Sequence, residues 1–168
     1  MTVQQGSEKS SRRGRRSTTM GGMPTNDMPW WRWRTNVRSA LHMLSDPRFQ
    51  QECWLAGREE YGDVTDAVYR LVEDTWLDNW SADKYVGTIF RDPQEAALVD
   101  AAVLRVLRIM HEVGPDAAVS AYLDHPGWPE AVHAARDAHV HLAVSDGEDP
   151  DQPPRTLEVL RILTRSAS

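Results

Sequence analysis

The stretch from Asp92 to Pro115 limits what this chain can fold into more than any other. Asp92-Pro93-Gln94-Glu95 is a helix-start signature: an aspartate to accept the first free amides, a proline at the first helical position, and a glutamate three residues on to bond back to the cap. Behind it apolar side chains fall on almost every face, from Ala96, Leu98 and Val99 through Val103 and Leu104 to Ile109 and Met110, until Gly114-Pro115 stops the helix near Val113. A helix apolar nearly all round has no face left for water, so it predicts a central helix with others packed around it. No stretch sustains period-2 alternation between turn signals, which argues against a sheet.

The rest of the chain supplies the packing partners. Val37, Ala40, Leu41 and Leu44 recur at helical spacing, with Trp33 one turn upstream. Asp46-Pro47 ends that helix and opens a second, carrying Phe49, Cys53, Trp54 and Ala56 toward a stop at Gly57. Asp63 and Asp66 resemble a capping box ahead of the cleanest apolar stripe, Val64, Ala67, Val68, Leu71, Val72 and Thr75. Residues 78–90 read two ways, with Ser81 placed to cap a short turn, Gly87 interrupting it and Ile89-Phe90 looking buried. Asp116 caps a segment to Leu123, and Pro129 to Val144 reads as a further helix after the Asp124-His125-Pro126-Gly127 turn.

The expectation is therefore an all-α single domain, a helical bundle of five or six helices over residues 30–144. Residues 1–29, rich in Ser, Thr, Gly and Arg with no hydrophobic period, are expected to be a disordered basic leader, and Met20, Met23 and Met28 are alternative starts. Residues 145–154 (SDGEDPDQPP) read as a flexible acidic linker, and Leu157, Leu160 and Leu163 give residues 155–168 a C-terminal helix and tail. A chain of 168 residues has room for one such domain and not for a second catalytic one.

Charge is divided unevenly. The leader carries Lys9, Arg12, Arg13, Arg15 and Arg16 against Glu8 and Asp27, whereas residues 30–168 carry 14 basic and 23 acidic side chains, a net −9. An acidic body argues against a phosphate backbone as the main ligand, because nucleic-acid affinity comes largely from clustered Lys and Arg releasing counterions. Another protein with a basic surface is the expected partner. Cys53 has no second cysteine to pair with, which suits a reducing compartment, and no apolar run approaches a membrane span. Ser17 to Asp27 lacks the apolar core of an export signal, so the cytoplasm is the expected location.

Residues 59–83 hold eight acids against Arg70, punctuated by Tyr61, Tyr69, Trp76 and Trp80. Acids around exposed rings are what a surface for a basic partner needs, since the charges steer the encounter and the rings supply contact area. The candidate partner-binding residues are Tyr61, Asp66, Glu73, Asp74, Trp76, Asp78, Trp80 and Asp83. The plainer reading is a solvated acidic face over buried tryptophans, part of it explained by helix capping alone.

Two other features carry weaker chemistry. His133, Asp137 and His141 share one helix face, which suits a divalent metal and a small metal-dependent hydrolase; lacking HExxH and thiolates, they read more plainly as a solvated face. Trp30-Trp31-Arg32-Trp33-Arg34 on a basic amphipathic helix resembles a membrane-surface or nucleic-acid contact, but its arginines equally suit ion pairs with the acidic body. Cys53 beside Trp54 reads as a core residue, and no nucleophile elbow, P-loop or dinucleotide fingerprint occurs. No catalytic residue, cofactor or metal site is assigned.

The order Leu44-Ser45-Asp46-Pro47, Gln50/Gln51, Trp54, Gly57, then Leu71-Val72-Glu73-Asp74-Thr75, Val86-Gly87-Thr88-Ile89 and Pro126-Gly127-Trp128 resembles a family of small uncharacterised actinobacterial, Streptomyces-type helical proteins. The resemblance spans about residues 20–168 and implies no activity, cofactor or catalytic residue. The central part, roughly residues 40–142, is also similar in layout to small helical proteins proposed as immunity partners of secreted toxins, which work by masking a toxin surface.

Overall fold

The computed structural model describes residues 30–154 apart from Asp74. The leader, Asp74 and the C-terminal segment 155–168 named above lie outside the described residues. Six α-helices follow one another: α1 (Trp30–Ser45), α2 (Pro47–Phe49), α3 (Val64–Val72), α4 (Pro93–Val113), α5 (Val119–Leu123) and α6 (Trp128–Ser145). The all-α expectation holds, and no strand forms among the described residues beyond one isolated bridge between Val86 and Phe90.

The starts of α2, α3 and α4 follow from aspartate caps. The Asp46 carboxylate accepts from the Arg48 and Phe49 amides at 2.9 and 3.1 Å, and α2 then runs on as a wider turn over Gln50–Trp54 before Gly57 turns the chain at φ +64°. At α3 the box is complete: Asp63 accepts from the Thr65 and Asp66 amides, and Asp66 accepts from the Asp63 amide. The helix ends at Val72, so Thr75 is not helical; its buried hydroxyl donates back to the Leu71 carbonyl instead. Ser81 does cap a short turn, Ala82–Tyr85, and Ile89 and Phe90 are buried behind it. The segment expected from Asp116 is helical only from Val119.

As the sequence predicts, other elements pack around α4: α3, α5, α6 and the Ala82–Tyr85 turn all rest on it, and α6 also packs against α1. It is not enclosed on every side, because Ala96, Val99, Ala102, Val106 and Ile109 face the core while Leu104 is 66% exposed beside Arg105 and Arg108. The more deeply enclosed helix is α1, whose every residue from Val37 to Ser45 is buried.

Gln50 locks the lower end of this three-helix contact. Its amide donates to the Met43 and Leu44 carbonyls at 3.2 and 2.9 Å, satisfying the end of α1, while its carbonyl oxygen accepts from the Trp128 indole at 3.1 Å. Trp128 is thereby a core residue, 4% exposed.

Candidate functional site

The upper end of the bundle is closed by charge. The Arg34 guanidinium donates to both Glu95 carboxylate oxygens at 2.8 and 2.9 Å and to the Ile89 carbonyl at 2.7 Å, and it also meets Asp146. Asp146 in turn pairs with Arg38 at 3.1 Å and Arg91 at 2.8 Å, and Arg38 reaches Glu148 at 2.8 Å. Three cations thus meet three carboxylates, clamping the start of α1, the start of α4 and the end of α6. Glu95 still serves the cap region as expected, but its partner is the Arg91 amide at 2.7 Å and not that of the cap residue Asp92.

Burial alone would push the Glu95 carboxyl up; hydrogen bonds from Arg34, Ser145 and the Arg91 amide override it and hold the group at about 2. Burial likewise opposes the charge on Arg34, yet its hydrogen bonds to Glu95 and Asp146 raise it above its ordinary value. An open groove of about 520 Å³ lies beside the clamp, lined by Trp30, Arg34 and Gly87–Arg91, and both guanidiniums that line it are already paired.

This clamp changes two sequence readings. The stretch 145–154, read as a linker, supplies Asp146 and Glu148 to the clamp, and its Pro150 carbonyl accepts from the buried His139 ring at 3.2 Å. The basic helix of the membrane or nucleic-acid reading keeps one exposed cation: Arg34, Arg38 and His42 are buried, leaving Trp30, Trp31 and Arg32 exposed. The residues of the metal reading do not come together in one cluster. His133 and Asp137 sit 3.5 Å apart on an open, exposed groove, and no group of three or more His, Cys, Asp or Glu side chains converges among the described residues.

The candidate partner-binding residues divide between the two ends of α3. At its start, Tyr61 is half-buried edge-on against Phe49, at 5.9 Å between ring centres, and Asp66 completes the capping box. Beyond its end, Glu73, Trp76, Asp78, Trp80 and Asp83 are all exposed within one compact excursion of the chain. Trp76 turns it: its φ is +57°, the left-handed region that bulky side chains rarely adopt, and its carbonyl accepts from the Asn79 and Trp80 amides at 3.0 and 2.9 Å. Leu77 points into the core and anchors the excursion, so Trp76 and Trp80 are left 40% and 44% exposed.

The next turn fixes the other side. Asp100 on α4 accepts from the Ser81 hydroxyl at 2.6 Å and the Ala82 amide at 2.8 Å, and the Lys84 ammonium lies 3.2 Å from the centre of the Trp80 ring. No sequence pattern marked Lys84 as part of this surface, because Trp80 lies before the Ala82–Tyr85 turn and the two share no regular element. Chemically the arrangement offers two exposed rings and three exposed carboxylates on a braced turn, a surface that can receive cations.

Residues 28–150 match the family model described as Domain of unknown function (DUF7945). No curated protein and no solved structure matches the chain.

Proposed function

We propose, from the premise that the chain belongs to that family, whose description leaves the activity open, that it is a non-catalytic interaction domain presenting the Glu73–Lys84 excursion to a basic protein partner. The observation that carries this reading is Trp76, a large ring kept at the surface by a left-handed backbone that costs on the order of 1 kcal/mol or more. Packing alone gives no reason to keep such a residue there. Trp80 supplies a second ring, and Asp78 and Asp83 supply the charge that attracts and orients a cationic chain. Masking a partner's surface is also how immunity-type proteins work, and an immunity or regulatory role is one form this reading takes. The single cysteine suits a cytoplasmic setting.

The test is calorimetric titration with an octa-arginine peptide. Binding is expected to weaken at least tenfold in Asp78→Asn/Asp83→Asn and to fall with rising salt. Equal affinity for the wild type and the double variant overturns the reading.

A further inference from the structure

We propose that the open groove between α4 and α6 is where a second copy of this chain docks, about a twofold axis. The α4 helix is apolar on almost every face by sequence, and the fold covers it only in part. Leu104 stays 66% exposed and Ala97 is exposed with it, while Leu98 and Ala101 are half-buried on the wall of the groove. These four share one side of α4, at i, i+1, i+4 and i+7, so an apolar strip runs along it for about 10 Å. A lone exposed leucine is ordinary, but this one continues a groove of about 400 Å³.

The charges around the strip select the occupant. Arg105 stands on the α4 wall of the groove, and Glu130, His133 and Asp137 line the α6 wall. The two helices run antiparallel: the start of α4 meets the end of α6 through Glu95 and Ser145, and Glu112 near the other end bonds His125, just ahead of α6, at 3.0 Å. Arg105 therefore lies toward one end of the groove and Asp137 toward the other, diagonally across it. Arg105 and Glu130 form no ion pair among the described residues, and Asp137 faces only the exposed His133, at 3.5 Å. The Arg105 guanidinium turns back to the Ala101 carbonyl at 2.8 Å.

Opposite charges set on a diagonal are their own complement under a twofold rotation. With the axis through Ala101 and the two α4 helices antiparallel, Leu104 of each copy, three residues beyond the axis, faces the partner's Leu98, three residues before it. The Arg105 end of one copy then lies over the Asp137 end of the other. A uniformly basic or uniformly acidic partner would meet a like charge at one end of the groove.

Sedimentation equilibrium of the full chain at low salt, loaded from about 5 to about 500 µM, tests this. The expected result is a reversible monomer–dimer equilibrium with a Kd on the order of 10–100 µM, as suits a contact near the lower limit of interface size. Leu104→Gln, Arg105→Asp and Asp137→Arg are each expected to weaken it about tenfold, and Arg105→Asp/Asp137→Arg to return it to within about threefold of the wild type, because the exchange restores opposite charges across the axis. Leu104, Arg105 and Asp137 are exposed, so all four variants are expected to unfold at the wild-type urea concentration. A wild-type chain that stays monomeric throughout overturns the proposal. So does a dimer that the three single variants leave unchanged, or a charge exchange that dimerises no better than either reversal alone. None of these positions lies in the Glu73–Lys84 excursion, so none of these outcomes bears on the surface proposed above.

Discussion

Arg34 and Glu95, 61 positions apart, meet through two parallel hydrogen bonds of 2.8 and 2.9 Å, with the glutamate side chain wholly buried. Burying such a pair is expensive, and its geometry recovers the cost only while both partners remain. Arg34→Met alone is expected to destabilise the fold by about 3–5 kcal/mol by stranding a buried carboxylate, while Arg34→Met/Glu95→Leu recovers most of that loss. Urea unfolding of the two single variants and the double variant measures the coupling.

The same carboxyl sets an acid limit. Its pKa in the fold is about 2 against an ordinary value of 4.5, so its stabilisation is fully present above 4.5 and is lost as pH falls from there through 2. The shift corresponds to about 3 kcal/mol. Urea midpoints are expected to fall across this interval in the wild type and to fall less in Glu95→Gln.

His139 acts in a higher window. Burial lowers its pKa despite the hydrogen bond to the Pro150 carbonyl, and Arg38 beside it adds to the lowering. A histidine held neutral in the fold costs stability once the unfolded chain begins to bind protons, so stability is expected to decline as pH drops below about 6.5, by at most ~1.4 kcal/mol per pH unit. His139→Gln is expected to flatten that slope, as read by urea unfolding at pH 7.5, 6.5 and 5.5.

Trp76 inverts a familiar order. At most positions alanine is worth about 0.5–1 kcal/mol more than glycine, because glycine loses more freedom on folding. At φ +57° the alanine Cβ is the strained one, so Trp76→Gly is expected to be about 1 kcal/mol more stable than Trp76→Ala, with both weakening octa-arginine binding. Thermal and urea unfolding of the pair reads the difference.

Gln50 gives a prediction at the other end of the bundle. Gln50→Leu leaves the Trp128 indole and the Met43 and Leu44 carbonyls without their partner, and a loss of about 2–3 kcal/mol is expected in urea unfolding.

What was legible in the residues was what acts over three or four positions. Asp63 with Asp66, Asp46-Pro47 and Asp92-Pro93 mark helix starts because a cap bonds amides two or three residues ahead. Arg34 with Asp146 joins residues 112 apart, and no local spacing records such a meeting. The arginines of α1 looked like a basic surface for that reason, and the stretch holding Asp146 looked like a linker. The rings show the same limit: Trp76 and Trp80 are exposed while Trp54 and Trp128 are core, and only tertiary packing separates them.

Residue-resolved titration with octa-arginine tests the interaction surface most directly, following the indole N–H signals of the tryptophans in a nitrogen-15-labelled chain. Saturable shifts at Trp76 and Trp80, with those of the buried Trp54 and Trp128 unmoved, are the predicted result. Signals at Trp76 and Trp80 that stay fixed while the peptide is added, or move no more than those of Trp54 and Trp128, contradict it.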